Sequence, residues 1–250
     1  MKPEIMLLHG MFVGAESWEA CGTSLQKNWP VYAPELPILD VPCKQVGLTS
    51  LVDYIKCTLD DKEIDRIVLA GNSLGGHVAL KVALAHPERV AGLVLVGSSG
   101  LFHRTNQLAP HRPSREWVRV KMKEVFFDEV HVTESLVGKV HETLSSPLQM
   151  RKVVRMAGSA KRDNVRDELS NLSCPVMLIW GADDQITPLE MAFEFKKRLP
   201  HAEMELIEQC GHAPNIERPQ EVATIMGRFL NGQCSSQSAN GGNGARALNG

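Results

Sequence analysis

Gly71-Asn72-Ser73-Leu74-Gly75-Gly76 carries a serine in G-x-S-x-G spacing, directly after the apolar run Ile67-Val68-Leu69-Ala70 and directly before a small-residue stretch at 74–86. A serine on so tight a strand-to-helix turn has its hydroxyl lifted above the sheet. Side chains two positions either side would collide there, which is the geometric reason for the glycines. The turn also aims the Leu74 N–H at the place where an oxyanion would form. Taken alone, the pentapeptide also fits a glycine-rich turn with no chemistry; its setting between strand and helix is what favours a nucleophile. A phosphate loop is a poor fit, because there is no G-x-G-x-x-G and no Lys after the second glycine.

A serine hydroxyl is a weak nucleophile and needs a base. Of nine histidines, His212 in Cys210-Gly211-His212-Ala213-Pro214 follows the last apolar strand. Parallel strands end on one edge, so its loop is expected beside Ser73. His9 comes from the same edge, and its neighbour Gly10 suggests loop shaping. His77 and His86 read as structural, and His103, His111, His131, His141 and His201 as surface or insertion residues. The imidazole in turn needs an acid to fix its tautomer. Asp183 and Asp184, after the strand ending at Trp180, both stand at this edge, and spacing leaves the choice between them open. Either could instead cap the helix near Pro188. A second oxyanion donor is expected from His9-Gly10-Met11-Phe12, with the Met11 N–H first and Phe12 as the alternative. His141-Glu142 lacks the second histidine of H-E-x-x-H, and no Cys/His spacing suggests zinc, so neither metal nor cofactor is expected.

These residues need a sheet to bring them together. Short apolar runs at 4–8, 30–33, 67–70, 90–96, 176–180 and 203–207 alternate with helical stretches at 50–59, 74–86, 189–199 and 219–230, the pattern of a parallel sheet buried on both faces. Between residues 101 and 165 the alternation stops. Three helices are expected there, at 116–127, 133–144 and 147–160. The fold class is therefore α/β: a mostly parallel sheet of about six to eight strands with helices on both faces and a helical insertion. The core is assigned to 1–100 and 166–231 and the insertion to 101–165. The Gly-, Asn-, Ser- and Gln-rich stretch 232–250 is expected to be disordered.

The net charge of −2 gives no reason to expect nucleic acid as partner. No run approaches a membrane span, and the N-terminal residues lack the pattern of a secretory signal, so a cytoplasmic protein is expected. The six cysteines are dispersed and form no C-x-x-C pair, which suggests free thiols. Charge is unevenly divided. Residues 101–166 hold thirteen Lys and Arg against seven Asp and Glu, whereas the rest is acidic. Solvated helix faces would explain this; the sharper expectation is a basic lid steering an anionic small molecule. The sequence carries no sign of oligomeric state.

LLHG near the start, GNSLGGH, HPERVAGLVLVGSSG, IWGADDQITP and CGHAPNIERP together resemble the cap-bearing branch of the α/β-hydrolase superfamily. That resemblance covers the core almost end to end. It implies a triad of Ser73, Asp184 and His212, since the family's G-x-x-D falls on Gly181 and Asp184. It also makes the helical insertion a cap over the active site. The chain begins almost at the HG strand, so about six strands are expected. Asn72 before the nucleophile is similar to carbon–carbon hydrolases of ring-cleavage products, but Met11-Phe12-Val13 departs from their glycine-rich loop. The expected function is a serine hydrolase cleaving a small or medium carboxylic ester through an acyl-enzyme. The alternatives are carbon–carbon bond hydrolysis by the same residues, or a hydrolase-like fold that binds a small ligand without turnover.

Overall fold

Alternate residues of each central strand enter two different cores. Ile5 and Leu7, Val68 and Ala70, Val94 and Val96, and Met177 and Ile179 pack with Trp18, Cys21, Val222, Met226 and Phe229. Their neighbours Met6 and Leu8, Ile67 and Leu69, Leu93 and Leu95, and Leu178 and Trp180 pack with Leu51, Ile55, Val78, Val82, Ala192 and Phe195. Strands buried on both faces in this way need helices on both sides, which is why they read as continuous apolar runs.

The computed structural model describes residues 2–101 and 113–240. Its strands are β1 (Glu4–Leu8), β2 (Val31–Tyr32), β3 (Ile67–Asn72), β4 (Val90–Val96), β5 (Val176–Gly181) and β6 (Glu203–Ile207). Every pairing is parallel and the spatial order is β2-β1-β3-β4-β5-β6. Six strands fall within the range expected from sequence. Helices α1 (Glu19–Leu25) and α9 (Pro219–Asn240) cover one face, and α2 (Leu48–Asp61), α3 (Leu74–Ala85) and α7 (Leu189–Arg198) the other. The short α8 (Pro214–Glu217) precedes α9.

From β1 the chain winds outward to β2, then returns to the far side of β1 as β3. This reversal of strand order opens a crevice at the strand C-termini between β1 and β3. Leu8 is in register with Gly71, so the loop after β1 and the turn after β3 leave the sheet side by side.

The insertion between β4 and β5 is helical, with α4 (Arg115–Lys123), α5 (Glu134–Ser145) and α6 (Pro147–Arg162). Ser114, Thr133 and Ser146 cap these helices by accepting the N–H three residues on, each satisfying an N–H that has no partner inside the helix. Val118, Val137, Val140 and Leu144 make the insertion's own small core, against which Phe12 from the loop after β1 packs.

Three details depart from the sequence reading. Helix α1 was not anticipated: it is only seven residues long and contains Gly22. Helix α4 ends at Lys123 rather than Phe127, because the backbone of residues 125–128 bonds to the loop before α8 and to Glu217 instead of continuing the helix. Helix α9 continues to Asn240, past residue 232 where disorder was expected; each further residue adds a helical hydrogen bond once a packed helix exists. Residues 241–250, like His103 and His111, lie outside the described residues. No helix among the described residues is long and apolar enough to cross a membrane. The five cysteines with described side chains, Cys21, Cys43, Cys57, Cys174 and Cys210, are unpaired.

Candidate active site

Ser73 stands between the last residue of β3 and the first of α3 with φ 55° and ψ −117°. A non-glycine residue in this region costs about 1–3 kcal/mol and persists only when its surroundings enforce it. The enforcement is visible. Ser73 N donates to Val96 O at 3.1 Å, and its own carbonyl accepts from His77 N, Ser99 N and Ser99 Oγ. A Cβ on Gly71 would overlap the backbone of Gly75, and one on Gly75 would overlap the Leu8 carbonyl. The G-x-S-x-G pattern is thus the only way for β1, β3 and α3 to approach so closely.

Leu74 opens α3, so its N–H is among those at a helix N-terminus with no helix carbonyl to accept it. The Met11 N–H makes no hydrogen bond to another described residue. Gly10 brings the loop after β1 against the turn, with an added Cβ only 3.5 Å from Ser73 Cβ.

His212 and Asp184 come together. Asp184 Oδ2 lies 2.9 Å from His212 Nδ1, with both residues buried. Asp184 Oδ1 accepts the N–H groups of Ile186 and Thr187, each at 2.8 Å, which leaves Oδ2 to face the imidazole. That pairing puts the ring hydrogen on Nδ1 and leaves the Nε2 lone pair as a proton acceptor. Nε2 makes no hydrogen bond to another described residue. Asp183 is exposed, and only its backbone joins the loop, through Asp183 N to Cys210 O. Burial thus separates two aspartates that spacing left equal.

Thr187 was missed. Its hydroxyl lies 2.7 Å from Asp184 Oδ2, 3.1 Å from His212 Nδ1 and 3.1 Å from Gly97 O, which locks the carboxylate rotamer. The signal was present as Asp-x-x-Thr before Pro188, a spacing that lets an aspartate accept the threonine N–H. Gly97 lies against the pair with φ 49°; a Cβ there would stand 2.8 Å from His212 O and 3.3 Å from its Nδ1.

The loop that carries His212 is fixed from both sides. His212 N donates to Val125 O at 2.7 Å, and Asn72 Nδ2 donates to His212 O at 3.0 Å. Ser73 Oγ makes no direct hydrogen bond to His212; Asn72 links their two loops.

His9 and His77 have other work. His9 Nε2 accepts the Leu36 N–H at 2.8 Å, shaping the loop as expected. His77 bonds through Nε2 to Asp163 O, and burial lowers its pKa to about 4. Cys210 is beside the site, but burial and then the Glu217 carboxylate push its thiol pKa up, so it stays protonated. Among the described residues no group of three His, Cys, Asp or Glu is placed to hold a metal ion. A cavity of about 380 Å³ opens between insertion and core, lined by Val13, Phe126, Leu136, Asn215 and Ile216 among others.

Comparison with known proteins gives a consistent family. The model of the alpha/beta hydrolase family matches residues 5–225. A 2-hydroxy-6-oxononadienedioate/2-hydroxy-6-oxononatrienedioate hydrolase of Cupriavidus pinatubonensis is 27% identical, over 90% of this chain and 86% of its own. A pimeloyl-[acyl-carrier protein] methyl ester esterase of Aromatoleum aromaticum is 30% identical, over 92% of this chain and 99% of its own. The crystal structure of an alpha/beta hydrolase enzyme from the sediment metagenome of the Mar Chica lagoon, Morocco, superposes with a TM-score of 0.77 at 29% identity, covering 93% of this chain and 92% of that one. With the strand order, the strained serine turn and a match over most of its length, this chain belongs to the alpha/beta hydrolase family.

Proposed function

We propose that the protein is a serine hydrolase that cleaves a small or medium carboxylic ester through an acyl-enzyme. One observation carries the proposal: a buried Asp184–His212 pair, its Nε2 uncommitted, on the loop that Asn72 ties to the Ser73 turn. Ser73 Oγ attacks the substrate carbonyl carbon while His212 Nε2 takes its proton, and Asp184 stabilises the resulting imidazolium. The Leu74 and Met11 N–H groups receive the oxyanion, a contribution of several kcal/mol when two donors are in place. His212 then protonates the leaving alkoxide, and water repeats the cycle on the acyl-enzyme. The esterase among the relatives supports this reading.

Carbon–carbon bond hydrolysis is the second reading, favoured by Asn72 before the serine and by the relative named for a dienedioate substrate. The same name makes an anionic substrate chemically reasonable, in keeping with the basic insertion. Product analysis with a p-nitrophenyl ester and a vinylogous diketone separates the two. Ester turnover abolished by Ser73→Ala supports the first; turnover of the diketone alone overturns it in favour of the second.

A further inference from the structure

The Glu217 side chain is buried, 6% exposed, and takes no part in the chemistry above. Its two oxygens hold two different segments. Oε1 accepts the Gly211 N–H at 2.8 Å, in the loop that carries His212. Oε2 accepts the N–H groups of Phe127 at 2.8 Å and Asp128 at 3.3 Å, in the helical insertion, some ninety residues earlier in the chain. The same segments meet directly where His212 N donates to Val125 O. They run so close that a Cβ on Gly211 would stand 2.6 Å from Val125 O and 2.9 Å from Phe127 N.

A carboxylate is suited to this place. It is an acceptor only, with lone pairs on both oxygens, and it gains from N–H donors aimed at it in a buried setting. An amide would turn one end into a donor facing another donor. A hydrocarbon would leave three N–H groups without this partner, that of Gly211 buried and those of Phe127 and Asp128 partly so.

We infer that Glu217 is a positioning residue for the proposed base: its carboxylate clamps residues 125–128 of the insertion to the Gly211–His212 backbone, so His212 is in register with Ser73 only while the insertion is seated. The inference rests on the reading of Ser73 and His212 as nucleophile and base. It goes further by making the insertion part of the catalytic geometry as well as a covering for the site.

The test compares wild type, Glu217→Gln and Glu217→Leu, with active sites counted by titration with a fluorophosphonate. Per titrated site, kcat for a p-nitrophenyl ester is expected to fall about tenfold or more in Glu217→Leu, with Glu217→Gln between it and wild type, while KM changes little; small displacements of a reacting group cost this much. A role in stability alone would lower the number of titratable sites and leave kcat per site unchanged, and that result overturns the inference. Should the variants not fold, amide hydrogen exchange on wild type decides. Gly211, His212, Phe127 and Asp128 are expected to exchange as one cooperative unit, and exchange of the two segments at independent rates overturns the clamp. Absence of labelling in wild type would remove the underlying reading and this inference with it, whereas labelling with unchanged kcat per site removes this inference alone.

Discussion

Asn72 Nδ2 donates to the main-chain oxygen of His212 at 3.0 Å and to Val96 O at 3.0 Å. Through one amide group, the residue that precedes the proposed nucleophile holds the backbone of the proposed base. Asn72→Ala leaves the His212 carbonyl without its partner, while Val96 O keeps the Ser73 N–H; the loss costs about 1–3 kcal/mol and frees the loop of the proposed base. The expected outcome is a lower Tm and a kcat reduced about tenfold, with KM less affected, as befits a geometric fault. Steady-state kinetics beside a thermal melt reads both; an unchanged kcat would remove the tether from the mechanism.

Asp184 and Asp183 are adjacent in sequence and opposite in environment. Asp184→Asn would favour the wrong imidazole tautomer, and kcat should drop by about three to four orders of magnitude. Asp183→Asn touches only an exposed side chain and should leave kcat within about twofold. Kinetics of the pair decides the acid, and the reverse ranking would move it to Asp183.

His77 gives a pH dependence of stability. Burial lowers its folded pKa from 6.5 to about 4, so the unfolded chain takes up a proton first as pH falls. Its contribution is fully present above pH 6.5, is lost progressively toward pH 4 and then levels off; 2.5 units correspond to about 3 kcal/mol at most. His77→Gln, which does not titrate, should show a smaller fall of Tm between pH 7 and pH 4 than wild type. Parallel curves for the two proteins would contradict this.

The basic insertion makes a kinetic prediction. If Lys and Arg between residues 101 and 166 steer an anionic substrate, kcat/KM for a carboxylate-bearing ester should fall with rising ionic strength, while that of a neutral ester of equal size should not. Several of these cations are paired, as Arg119 is with Glu116 and Glu134 and Lys139 with Glu16. The salt dependence is therefore expected to be modest, and none at all would leave solvated helix faces as the sufficient explanation.

The sheet and the serine turn could be read from sequence because each is enforced locally. Strands buried on both faces must be apolar throughout, and the turn at Ser73 admits only glycine at 71 and 75. The choice of Asp184 needed more, since side-chain direction in an irregular loop has no period to read. Glu217 was invisible for a related reason, since its role lies in contacts with a segment ninety residues away; of Thr187 only the local Asp-x-x-Thr spacing could be read, not its contact with His212. The end of α4 followed the same logic. Its sequence would allow another turn, and the hydrogen bonds offered by Glu217 and His212 took that backbone instead.

The most direct measurement is covalent labelling by a fluorophosphonate, located by peptide mass spectrometry. The adduct is expected on Ser73, absent in Ser73→Ala and slowed by at least about a hundredfold in His212→Ala, in keeping with the size of general-base catalysis. A label on another residue, or labelling at the wild-type rate without His212, would contradict the proposed chemistry.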